Sequence, residues 1–117
     1  MFVASFIFRP GIIDQEFHDR NAEIGARAAT IDGFLGEEAW RSPDGTLRNA
    51  VYYWATREGL EKFVRDPAHR DAKGQQAGWY EGYHVIISEV TDTYGDGRLP
   101  HVTGDARRQK LMERRRG

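Results

Sequence analysis

Val51-Tyr52-Tyr53-Trp54-Ala55-Thr56-Arg57-Glu58-Gly59-Leu60-Glu61-Lys62-Phe63 opens the stretch that decides the fold, and Trp79-Tyr80-Glu81-Gly82-Tyr83-His84-Val85-Ile86-Ile87 closes it. The opening reads as a strand ending in aromatics and running straight into a helix. Thr56 is the expected N-cap, because its hydroxyl can accept a bond from a free amide of the first turn. Leu60, Phe63 and Val64 then recur at the three-to-four spacing of one buried helix face. Asp66-Pro67 ends that helix, since proline carries no amide donor and starts a new element. A second short helix is expected after it, with His69, Arg70, Asp71, Lys73 and Gln75 among its polar positions. The closing part is a long apolar strand from Trp79 to Val90, with Tyr83, Val85 and Ile87 set against His84, Ile86, Ser88 and Val90.

Upstream, Phe2 to Phe8 is apolar at both alternating sets of positions, so that strand is covered on both sides. Arg9-Pro10-Gly11 is expected to break it. A helix follows from the cap Asp14 to about Ala29, with Ile13, Phe17, Asn21, Ile24, Ala28 and Ile31 along its stripe. Phe34 to Arg41 and Leu47 to Trp54 are two further strands, joined by the tight hairpin Ser42-Pro43-Asp44-Gly45. Simple alternation puts Phe34, Gly36, Glu38 and Trp40 on one face of the former, and Arg48, Ala50, Tyr52 and Trp54 on one face of the latter. Trp40 and Tyr52 then face the same way and form an aromatic wall for a planar ligand.

The order strand, helix, strand, strand, helix, strand predicts a ferredoxin-like α+β fold, βαββαβ. Its four-stranded antiparallel sheet carries both helices on one face. The other face bears aromatics and aliphatics, a patch larger than a monomer comfortably exposes, so a homodimer with two facing sheets is expected. Thr93-Tyr94-Gly95-Asp96-Gly97 closes the domain, giving a domain of 1–95 and a tail of 96–117.

At 117 residues, 39% of them hydrophobic, the chain has the size of one globular domain with a modest core. No apolar run approaches the roughly 20 residues needed to span a bilayer, and no leader pattern opens the chain, so a cytoplasmic location is expected. With no cysteine there is no disulfide, thiolate metal site or cysteine nucleophile. The net charge of −1 is unevenly spread: from Gly95 onward seven basic residues face three acidic ones. Such a tail could touch nucleic acid or an acidic partner, but a solvated tail is the plainer expectation. No aromatic interleaves its arginines, so there is no stacking platform for single strands.

Among candidate site residues, His69 near the start of a helix is the best placed general base. The helix dipole disfavours its protonated form, and a neutral imidazole beside a cavity can accept a proton. His84 lies mid-strand among apolar neighbours and is equally a core or interface histidine. Trp54, Trp79, Tyr80 and Tyr83 are packing or cavity-lining aromatics. Glu38 is either a buried base or a surface acid. The four histidines show no metal-ligand spacing, His18 looks solvent-facing, and no glycine-rich phosphate loop or nucleophile elbow occurs.

Tyr53-Trp54, the helix with Phe63, Asp66-Pro67-Ala68-His69-Arg70, Trp79-Tyr80-Glu81-Gly82-Tyr83 and the stretch Val90 to Tyr94 together resemble the antibiotic biosynthesis monooxygenase family. Gly33-Phe34-Leu35-Gly36 is similar to the family's entry to the second strand. The resemblance covers about Phe2 to Tyr94 and implies a dimeric α+β barrel. That family spans cofactor-free oxygenases of polycyclic aromatic compounds, heme-degrading enzymes and members without an assigned reaction. It implies a monooxygenase acting on a small aromatic ligand without metal or flavin. His69 would be the base, and Trp40, Tyr52, Trp54, Phe63, Tyr83 and His84 would be substrate contacts. Heme-degrading members pair an asparagine with a tryptophan and a histidine. Here Phe6 (or Ser5), Phe63 and Lys73 stand at those places, which argues against heme as a cofactor. Heme binding and a non-enzymatic binding dimer are the alternatives.

Overall fold

Six elements follow one another in the computed structural model: β1 (Phe2–Pro10), α1 (Gln15–Ala28), β2 (Phe34–Arg41), β3 (Arg48–Trp54), α2 (Arg57–Arg65) and β4 (Tyr80–Glu89). The structure describes residues 1–66 and 78–104. The expected second short helix with His69 and Lys73, and the arginine-rich end of the tail, lie outside the described residues. The strands form one antiparallel sheet in the order β2-β3-β1-β4, the ferredoxin-like arrangement expected from the element order.

Local chemistry sets the ends of the helices. The Asp14 side chain accepts from the Phe17 amide at 2.9 Å, and the Thr56 hydroxyl accepts from the Gly59 amide at 3.2 Å. Asp66 ends α2 with an extended backbone, ψ 133°, the conformation that a following proline imposes. Between β2 and β3, Asp44 accepts from the Ser42 hydroxyl at 2.7 Å and from the Thr46 amide at 3.0 Å, while Gly45 takes a positive φ of 74°.

The core forms where the helices meet the sheet. Ala4, Ile24, Ala28, Tyr52, Trp54, Leu60 and Phe63 make the larger cluster, and Phe8, Phe17 and Trp79 a smaller one. Register explains the division of faces. Phe2 pairs with Trp54, Ala4 with Tyr52 and Phe6 with Ala50, so these residues share the helix side. Val3, Ser5 and Ile7, with Asn49, Val51 and Tyr53, share the other.

Four sequence expectations are corrected. The pairing of β2 with β3 shifts between Phe34 and Gly36, a bulge at which Gly36 adopts φ 151°. The extra residue keeps Phe34 in the core but moves Glu38 and Trp40 to the face away from the helices, so Trp40 and Tyr52 do not share a wall. Arg9-Pro10 does not stop β1: Arg9 pairs with Gly82 and Pro10 with Tyr80 across a register shift. Asn21, on the spacing of the α1 stripe, is exposed because it stands over an open pocket rather than the core. The chain beyond Gly95 is not wholly tail. His101 bonds Glu38 at 2.9 Å, stands edge-on to Tyr53 at 5.2 Å, and Val102 abuts Gly36. Residues 101–104 thus lie as a strap on the open face of the sheet.

Candidate functional site

The helix side of the sheet is incompletely covered between α2 and β4 by the described residues. A groove of about 300 Å³ opens there, with Phe2, Leu60, Val64 and Ile87 as its apolar lining and Arg57, Glu61 and Arg65 at its rim. Val64 also borders a small apolar recess with Ala4, Phe6, Tyr52, Phe63 and Val85. Sequence supplies its apolar lining. α2 supplies apolar residues at Leu60, Phe63 and Val64, while β1 and β4 supply Phe2, Phe6, Val85 and Ile87 on the same side of the pleat.

Aromatic rings extend the recess along the sheet. Phe6 lies 5.2 Å from Tyr80 and 5.4 Å from Tyr83, and Tyr80 lies 5.0 Å from Phe8. Burial pushes the Tyr52 phenol up from its ordinary pKa, with the nearby Glu37 carboxylate adding to the effect. Burial raises Tyr80 likewise. Both phenols therefore stay neutral at physiological pH and act as hydrogen-bonding walls, not as bases.

The residues singled out from the sequence divide between the two faces. Tyr52 and Phe63 border the recess, their rings 4.7 Å apart. Tyr83 stands on the same side and is 53% exposed. Trp54 is fully enclosed, 5.1 Å from Phe34 and 5.2 Å from Phe63, and its indole N–H is buried without a hydrogen-bond partner among the described residues. Trp40, 60% exposed, and His84, paired with Ile7, lie on the opposite face and do not join this opening. His69, the expected base, lies outside the described residues.

One constellation has no signal in the sequence. On the open face, Glu38 Oε1 accepts from the Tyr53 hydroxyl at 2.6 Å and lies 2.9 Å from His101 Nε2. The Thr103 amide donates to His101 Nδ1 at 3.2 Å, which leaves Nε2–H to donate to Glu38. The bond from Tyr53 holds the Glu38 carboxyl below its ordinary pKa, and His101 adds to the effect. Burial and the bond to Glu38 push Tyr53 up to about 12. Glu38 is thus neither a surface acid nor a base at the recess but the anchor of the strap. Glu38 and His101 are 63 residues apart, so no periodic pattern links them. Among the described residues no three His, Cys, Asp or Glu side chains gather as metal ligands, and no helix is long and apolar enough to cross a membrane.

No protein-family model matches the chain, and no curated protein matches it in sequence. Solved structures match its fold. Rv0793 of Mycobacterium tuberculosis superposes with a TM-score of 0.64 over 81% of this chain and 100% of that one, at 14% identity. SnoaB, a cofactor-independent oxygenase from Streptomyces nogalater, gives 0.64 over 86% of this chain and 97% of its own, at 18% identity. A Deinococcus radiodurans protein provisionally described as an antibiotic biosynthesis monooxygenase gives 0.64 over 81% and 97%, at 10% identity. This chain therefore has the α+β fold of these proteins, as its element order and its family resemblance both led one to expect.

Proposed function

We propose that this chain belongs to the antibiotic biosynthesis monooxygenase family and oxidises a small aromatic or polycyclic compound with molecular oxygen, without metal or flavin. The observation that carries the proposal is the apolar, aromatic-edged opening between α2 and β4. It lies in a fold shared with a cofactor-independent oxygenase. An apolar cleft with few polar groups suits a planar aromatic ligand and keeps water from a reactive anion. His69, four residues past the end of α2, is the base in this scheme. It removes an acidic phenolic or enolic proton, and the electron-rich anion reduces oxygen. Where a ring CH2 becomes a carbonyl, CH2 and O2 give C=O and H2O. The substrate supplies all four electrons, so no outside reductant is needed.

Tyr52, Phe63 and Tyr83, with Phe6, form the substrate walls. Trp40 and His84 belong instead to the face through which two copies associate. The strap covers Gly36, Glu38 and Tyr53 on that face, and Trp40, farther along β2, and Ile86 remain exposed. The test is oxygen uptake by the purified protein against a panel of polycyclic phenols. The wild type should consume oxygen with at least one of them. His69→Ala should abolish uptake, and Val85→Trp, which fills the recess, should raise KM or stop turnover. An unchanged rate in His69→Ala would remove His69 from the mechanism.

A second reading, a non-enzymatic binding dimer, is favoured by the tight packing of Tyr52, Trp54 and Phe63, which leaves only a small recess beneath Val64. Binding of a phenol without oxygen uptake would select it.

A further inference from the structure

The hairpin end of the sheet, away from the opening at α2, holds a separate pocket of about 210 Å³ between α1 and the strands. Phe8, Phe17, His18, Asn21, Arg41 and Arg48 define it. Arg41 and Arg48 are register partners across β2 and β3, and Arg48 pairs in turn with Phe8 on β1. Two guanidiniums and a phenyl ring therefore stand in one row on the helix side. Phe17 packs over Phe8 at 6.4 Å and gives the pocket an apolar wall.

Like charges directly opposite each other on neighbouring strands destabilise a sheet. Here no acid lines the pocket, and neither arginine has an ion-pair partner among the described residues. Among the described residues Arg20, Arg27, Arg57 and Arg98 each have a carboxylate at 2.7–3.9 Å, whereas Arg9 and Arg65, like Arg41 and Arg48, have none; what sets Arg41 and Arg48 apart is that they stand directly opposite each other. An anion between Arg41 and Arg48 would relieve the repulsion, and the planar fork of arginine matches a carboxylate bidentately. His18 and Asn21, three apart on α1, share a helix face and supply further polar groups. The volume is below the roughly 300–1,000 Å³ of a typical small-molecule cleft, so the occupant is small.

We propose that this pocket binds a small aromatic carboxylate, its charge between Arg41 and Arg48 and its ring against Phe8 and Phe17. The site is distinct from the opening at α2 and stands whether or not that opening holds a substrate. The test is titration of the full chain with benzoate, followed by amide NMR shifts, with benzamide as the neutral isostere. Benzoate should give saturable shifts at residues 17–21, 39–41 and 48–50, and benzamide should give none. The double variant Arg41→Met, Arg48→Met should bind benzoate at least tenfold more weakly. Its melting temperature without ligand should equal or exceed that of wild type, because the repulsion is gone. If the double variant does not fold, Arg48→Met alone carries the same comparison. Absence of saturation, saturation at other residues, or undiminished affinity in the variant would overturn the proposal. Inorganic phosphate saturating the same signals as tightly as benzoate would overturn its aromatic half.

Discussion

Glu38 sits where two long-range contacts converge, the Tyr53 hydroxyl at 2.6 Å and His101 Nε2 at 2.9 Å. Its folded pKa lies below the ordinary value, so the stability it contributes is fully present above the unfolded carboxylate pKa. That stability is lost as pH falls through the lowered folded value. The protection of the amides of residues 101–104, as exchange rate relative to that of an unstructured chain at the same pH, should therefore fall on acidification from pH 5 toward pH 3, and in Glu38→Gln it should be low already at pH 7. Equal exchange in Glu38→Gln and wild type at pH 7 would mean that the strap is held by something else. At this scale the sequence was a partial guide. The three-to-four spacing placed Phe63 on the buried face of α2, as found, while Trp54, a substrate contact by the family resemblance, is fully enclosed. Nothing around Trp54 announced an indole N–H with no partner among the described residues, a situation that costs about 1–3 kcal/mol in a core. Trp40 was misassigned because a single bulged residue reverses every side chain beyond it.

The elements were more legible than the residues within them. Helix caps and the hairpin follow from local rules that act over three or four residues, and Asp14, Thr56, Asp44 and Asp66 each mark a real boundary. Asp44 shows the strength of such local signals. The Ser42 hydroxyl, with the Thr46 amide and hydroxyl, holds its carboxyl down at about 2. What local rules do not convey is how closely two elements approach. Gly59 in α2 lies where an added Cβ would come 2.6 Å from the Asp32 carbonyl oxygen and 3.1 Å from the Trp54 ring. A glycine-to-alanine change inside a helix ordinarily gains up to about 1 kcal/mol. Gly59→Ala should instead destabilise the protein by about 1–3 kcal/mol through overpacking, read from the urea midpoint. A stabilised variant would mean that α2 packs less closely against the Gly33 turn.

The whole molecule joins a fold that the order of elements announces to a surface that it does not. The alternation of β1 on both faces pointed to cover on each side, and the helices supply one cover. On the other face the chain's own strap lies over β2 and β3, at Gly36, Glu38 and Tyr53, through contacts set by tertiary structure alone. The rest of that face leaves Trp40 and Ile86 exposed, and we expect it to be where two copies meet. Trp40→Glu with Ile86→Glu should shift a dimer to monomer in sedimentation without loss of secondary structure. A wild-type chain already monomeric at high concentration would reject that interface. The measurement bearing most directly on the central claim is the mass of product formed from a phenolic substrate under 18O2, with chelator present and no flavin or heme added. Product heavier by one labelled oxygen atom is predicted. Absence of product across the panel, together with a saturable Soret shift and decay when heme is added, would contradict it and place the chain with heme chemistry instead.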